Sequence, residues 1–163
     1  MVCFCAAGNL LAGSGTALHF NQSTELASIP HNLALNAYPL TVTAWFRSTA
    51  NNGSVQVIAA KYMDKTYDGW ALAVQSGQLH GFYYRAGSLN NKAIDAFSGT
   101  FAADGVWHHA ALVVNTNGGE LFLDGAMVAS NGWIGVSGGL TNTAPVTFGN
   151  LAVPLYSLSG DVD

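Results

Sequence analysis

The sequence predicts an all-β protein built from two antiparallel sheets packed face to face. Three observations carry that prediction. Charged residues are scarce, five basic and nine acidic among 163, and glutamate occurs only at Glu25 and Glu120, so helix faces lack their usual solvated residues. Nineteen glycines gather with Asn, Ser and Thr between short apolar runs. Within those runs apolar and polar side chains alternate with the period of a strand. A chain of this length buries a sizeable core as one domain without metal or disulfide staples. No repeat of solenoid or propeller period is present.

Residues 1–15 stand apart from the domain, which is read as residues 16–163. Val2 to Ala12 is apolar and rich in small residues. It reads either as a secretory-signal remnant without its basic end or as an ordinary disordered tail. Cys3 and Cys5, two apart in an extended chain, are poorly placed to bridge each other, so no structural disulfide is expected.

Thr16 to Asn21 alternates, with Ala17 and His19 on one side and Leu18 and Phe20 on the other. Leu26 to Ile29 is a second short strand ended by Pro30. His31 to Pro39 is a connection expected to tuck in Leu33 and Leu35. In Leu40 to Ser48, Leu40, Val42, Ala44 and Phe46 share one face. Asn51-Asn52-Gly53 is a turn. Val55 to Tyr62 is the next strand. Gly69 to Gln75 and Gln78 to Arg85 form a hairpin across Ser76-Gly77. Ala86 to Phe101 reads as loop, with one short strand from Ala93 to Phe97.

The densest stretch is Asp104 to Val128. Trp107, His109, Ala111 and Val113 share one face of a strand, and His108, Ala110, Leu112 and Val114 share the other. Apolar groups on both faces place it inside a sheet. Asn115 to Gly119 turns into Glu120 to Leu123, and Asp124-Gly125 is a favoured two-residue turn back into Ala126 to Val128, so three strands form a meander. Gly132 to Thr143 is irregular, and Pro145 to Gly149 is a further strand.

The run Asp104 to Val114 (DGVWHHAALVV), followed by Leu121 to Val128 (LFLDGAMV), resembles the signature of the laminin-G-like, concanavalin A-like lectin-glucanase jelly roll. There a Trp-His-His-hydrophobic strand leads into one ending in Asp-Gly. ALHFNQSTELASIP, LTVTAWFRS, GWALAVQSGQLHGFYYR and VTFGN fit in the same order, so the resemblance covers roughly residues 16–163. It implies a jelly-roll sandwich that closes with a strand after a Gly-x-Ile-Asp-Glu motif. Ser159 to Asp163 reaches that motif and stops. The expectation is therefore a fragment lacking its final strand, with an open sheet edge prone to aggregation or strand exchange.

The resemblance also implies calcium where the turn after the first strand meets the last Asp motif. Carried over, the ligands are Asn21, Glu25, Asp161 and Asp163, with Asn21 where the family has Asp. Calcium takes six to eight oxygens. Sugar binding calls for aromatic platforms and polar loops at a rim or concave face. The candidates are Tyr67, Trp70, Tyr83, Tyr84, Arg85 and Trp133. Trp45 and Trp107 fit core positions better.

Catalysis finds little support. Retaining glycosidases hold two carboxylates about 5–5.5 Å apart. Neither glutamate has an acid within two residues, and Asp161 and Asp163 sit at the chain end. No GxSxG elbow and no HExxH motif is present. His108 and His109, adjacent in a strand, point to opposite faces and cannot share one metal ion, so a structural role is expected. Asp124 is expected to serve its turn.

The scattered net charge of −4 offers no basic patch for nucleic acid. No apolar stretch approaches bilayer length. The expectation is a non-catalytic recognition module of a secreted or cell-surface, hence extracellular, protein. It would bind carbohydrate or a protein ligand through rim loops, with calcium. The alternatives are an accessory or catalytic domain of a polysaccharide-active enzyme, and a structural spacer.

Overall fold

The computed structural model describes residues 16–22, 24–152 and 156–163. The readings of residues 1–15 and of Cys3 and Cys5 lie outside them. The strands are β1 (Leu18–Asn21), β2 (Ala27–Ile29), β3 (Leu40–Ser48), β4 (Val55–Lys61), β5 (Gly69–Gln75) and β6 (Gln78–Arg85). They continue as β7 (Ser88–Phe101), β8 (His108–Asn115), β9 (Gly118–Leu123), β10 (Ala126–Gly132), β11 (Val146–Phe148) and β12 (Ser159–Val162). One 3-10 turn, Leu33–Asn36, precedes β3. Among the described residues no helix is long and apolar enough to cross a membrane.

Two six-stranded antiparallel sheets result, ordered β1-β12-β3-β8-β9-β10 and β2-β11-β4-β5-β6-β7. Together they form a jelly-roll-like sandwich. The period-two pattern decides which side chains meet between them. Phe46 on β3, Leu112 on β8 and Leu121 on β9 face Ile58, Leu72 and Tyr83 of the other sheet, all fully buried in one core.

Turn chemistry sets the registers. Asp124 and Gly125 both take positive φ (51° and 80°), the mirror-image turn whose twist suits a hairpin. Ser76-Gly77 joins β5 and β6 in the same way (51° and 74°). Asp124 also fastens the meander. Its Oδ1 accepts the His109 backbone N–H at 2.8 Å, and its Oδ2 lies 2.7 Å from His108 Nδ1. His108 Nε2 reaches Asp104 at 3.1 Å. As expected, His108 points inward beside Phe46, and His109 points outward against Trp45.

Several expectations are corrected. Leu33 is 80% exposed, and only Leu35 packs against the core. β7 runs 14 residues rather than Ala93 to Phe97. Its first five residues, Ser88 to Lys92, are mostly polar and none is buried, so no apolar alternation marks them in the sequence. Ala86-Gly87 makes the turn into it with φ of 56° and 72°. Trp45 and Trp107 are half-buried on the outer face of the first sheet, not in the core. Ser159 to Val162, read as the motif ahead of a closing strand, is itself a strand inserted between β1 and β3.

The His108 bridge makes a pH-dependent contribution. Burial opposes the imidazolium, but hydrogen bonds to Asp124 and Asp104 outweigh it and raise the pKa above 6.5. The stabilisation is complete below pH 6.5 and fades as pH rises through the raised value. Thermal unfolding between pH 5.5 and 9 is expected to show this fall. His108→Phe should remove it and lower stability at pH 6 by about 2 kcal/mol.

Candidate functional site

A groove of about 190 Å³ opens on the outer face of the second sheet. Its floor is Val55, Val57, Ala71 and Ala73. The floor is low because β5 alternates large and small residues. Trp70, Leu72 and Val74 turn inward, which leaves Ala71 and Ala73 outward at the groove. On β4 a bulge between Val57 and Ala59 breaks the alternation, so that Val57 and Ala60 join one outer apolar cluster with Tyr62, Ala71 and Leu151.

Aromatic rings form the walls. β6 sends His80, Phe82 and Tyr84 outward in sequence. His80 stacks on Phe97 of β7, with centroids 4.2 Å apart and planes at 10°. Phe82 meets Tyr62 edge-on at 4.9 Å and Tyr84 at 5.2 Å. Tyr84 meets Tyr67 at 5.8 Å. Tyr67 sits at φ 48°, a costly conformation for a bulky residue, and the Gly87 N–H donates to its carbonyl at 3.1 Å.

The far wall comes from the connection between β11 and β12. The Tyr156 carbonyl accepts the Val57 N–H at 2.9 Å, beside the bulge. Asn150, fully buried, accepts from the backbone N–H groups of Leu151 and Tyr156 at 2.9 and 3.0 Å. Leu151 and Tyr156 are thereby held over the groove.

Two carboxylates lie at the groove. Asp64 lines it and accepts from the Tyr156 hydroxyl at 3.4 Å. Asp95, on β7, faces Phe82 across the ladder and spans its diagonal neighbours. His80 Nε2 lies 2.8 Å from one oxygen, the Tyr84 hydroxyl donates to the other, and Lys92 is 3.5 Å away. The His80 hydrogen bond chiefly holds the Asp95 pKa down at about 2, against the effect of burial. Burial and the Asp95 contact raise the Tyr84 pKa. A carboxyl ionised so firmly is a poor general acid near neutrality.

The six aromatic and polar candidates are divided by the fold. Tyr67 and Tyr84 line the groove. Trp70 and Tyr83 lie between the sheets, 2% and 0% exposed, and offer no ring to a ligand. Arg85 donates to the carbonyls of Gly139 and Val136 and pins their loop. Trp133 packs edge-on against Tyr83, and its indole N–H donates to Asn115. Sequence reasoning missed Tyr62, His80, Phe82 and Tyr156. The outward alternation His80-x-Phe82-x-Tyr84 was the available signal.

The four calcium candidates make the following contacts. Asp161 turns one oxygen to His19 Nδ1 at 2.9 Å and the other to Arg47 Nε and Nη2 at 2.9 and 2.8 Å. Burial opposes those bonds but does not prevent them from lowering its pKa. Glu25 accepts from the backbone and side-chain N–H groups of Asn21, each at 3.2 Å. The Asp163 backbone pairs with Trp45 at 2.9 and 3.0 Å. Among the described residues no three His, Cys, Asp or Glu side chains gather as metal ligands.

The two antiparallel sheets define a jelly-roll-like β-sandwich. The family model described as the concanavalin A-like lectin/glucanases superfamily, of laminin G type, matches residues 21–163, and the chain belongs to that family. No curated protein sequence matches it. Solved structures match in fold. Domain 4 of the extracellular arabinanase AbnA from Geobacillus stearothermophilus, in complex with arabinotriose, gives a TM-score of 0.69 at 15% identity, covering 93% of this chain and 69% of that one. Mouse laminin α1 domains LG4-5 give 0.68 at 16%, covering 90% and 40%, so this chain spans well under half of that laminin structure. The Ruminococcus gnavus sialidase CBM40 bound to α2,3-sialyllactose gives 0.60 at 15%, covering 86% and 89%.

Asp95 stabilises the groove wall while it is ionised. Its folded pKa of about 2 lies below the ordinary 3.8, so the contribution is complete above pH 3.8 and is lost as pH falls toward 2. Asp95→Asn is expected to lower stability at pH 7 by about 1 kcal/mol, a modest loss because the carboxylate stays partly solvated. Urea unfolding from pH 2 to 7 should show a shallower acid limb in the variant than in the unmodified chain.

Proposed function

We propose that this domain is a non-catalytic saccharide-recognition module and that the groove on the outer face of the second sheet is its binding site. The observation that carries the reading is the continuous strip Phe97, His80, Phe82, Tyr84 and Tyr67 beside an apolar floor. Sugar rings present C–H faces that pack on aromatic rings, and their hydroxyls find partners in tyrosine hydroxyls and carboxylates. The neighbours in complex with arabinotriose and sialyllactose support the same class of ligand. The groove is smaller than the about 300–1,000 Å³ of pockets that enclose drug-sized ligands. An oligosaccharide would therefore lie across it with only part enclosed. A place in a secreted or cell-surface protein follows from the same reading.

A glycan array probed with the purified chain tests it. Binding to at least one saccharide is expected, and Tyr67→Ala and Tyr156→Ala should each weaken it by about tenfold, the cost of a contact ring at a binding centre. Leu33→Ala, remote from the groove, should leave it unchanged. An array with no signal above background, from protein with a β-type far-ultraviolet spectrum, would sink the proposal.

A further inference from the structure

The fold neighbours include complexes with an uncharged and an acidic saccharide, so the fold does not decide which kind this chain takes. Its own charges do. The chain has five basic residues in all. Recognition of a carboxylate or sulfate sugar rests on an Arg or Lys directed at the anion.

None of the five lines the groove. Arg47 lies on the opposite sheet, held by Asp161 at 2.8–2.9 Å, with its guanidinium 5.3 Å from the centre of the Trp107 ring. Arg85 spends its donors on the Gly139 and Val136 carbonyls, at 3.0 and 3.4 Å. Lys61 is fully buried, donating to the Ala144 carbonyl at 2.6 Å and to Asn142 at 2.8 Å. Lys92 pairs with Asp95 at 3.5 Å with its ammonium 5.7 Å from the centre of the Tyr84 ring, behind the groove wall, and does not line the groove. Lys65 is 84% exposed on the β4–β5 loop, 3.9 Å from Asp64, and does not line the groove. What does line it, besides apolar groups, hydroxyls and His80, is the carboxylate of Asp64.

We propose that the groove selects uncharged saccharides and rejects acidic ones, with Asp64 as the residue that sets this preference. The inference rests on the saccharide reading of the groove. An incoming carboxylate would meet the like charge of Asp64 over an apolar floor, with no Lys or Arg among the lining residues to receive it. A neutral ring meets only C–H contacts and hydroxyl partners.

Titration calorimetry on the whole chain with matched probes tests the preference: lactose against 3′-sialyllactose, and oligogalactose against oligogalacturonate. The neutral member of a bound pair is expected to bind at least about tenfold more tightly, because the lining offers an anion a like charge and no cation. Its affinity should change by less than about twofold between 50 and 500 mM NaCl, since no ion pair is formed. Asp64→Lys should narrow the acidic-to-neutral gap by about tenfold, and Asp64→Asn by less, serving where the lysine variant fails to fold. An acidic member that binds more tightly, and loses that binding in Tyr67→Ala, overturns the preference while the saccharide reading stands. Failure of every neutral and acidic probe on both the array and the calorimeter overturns both.

Discussion

The stacking of two apolar sheet faces is the interaction on which the rest of this molecule depends. Phe46, Leu112 and Leu121 from one sheet close against Ile58, Leu72 and Tyr83 from the other without solvent between them. That contact fixes which face of each strand is inside. Everything recognisable as a site lies on the faces left outside, and its chemistry is set by the residues the core did not take. On β5 the core took the large side chains and left alanines. On β6 it took Leu79 and Tyr83 and left His80, Phe82 and Tyr84.

Buried polar groups give the outer surface its fixed shape. A buried amide or ammonium must find partners, and the segments supplying them are held in place as a result. Asn150 fastens the connection that carries Leu151 and Tyr156. Lys61, whose pKa burial lowers against the field of Asp68, ties the end of β4 to Ala144 and Asn142. Gln56 donates to Ala50 and accepts from the Ser159 N–H, linking β4 to the start of β12. A wall positioned before a ligand arrives loses less entropy on binding.

The same economy governs charge. With few cations in the chain, almost every one is tied to a structural acceptor, as Arg47 is to Asp161. That pairing and the His19 contact engage both oxygens of the carboxylate on the chain's last strand. The Arg47 guanidinium, half exposed, faces that carboxylate.

Alternation and turn residues were enough to read two antiparallel sheets, the β8–β9–β10 meander and the turns at Asp124-Gly125 and Ser76-Gly77. Those features are local, because a side chain's face and a turn's φ follow from a few neighbouring residues. The motif order also pointed to the family. The site was only partly legible. Tyr67 and Tyr84 were among the candidates, but so were Trp70 and Tyr83, because a strand sequence shows which residues share a face and not which face is covered. Trp45 and Trp107 were assigned inward for the same reason. The bulge in β4, the long edge strand β7 and the arrival of Leu151 and Tyr156 beside β4 depend on contacts between distant parts of the chain. The sequence by itself determined the layers and their turns. Tertiary structure decided which aromatic rings met in one groove and which side chains line it, because both depend on long-range burial.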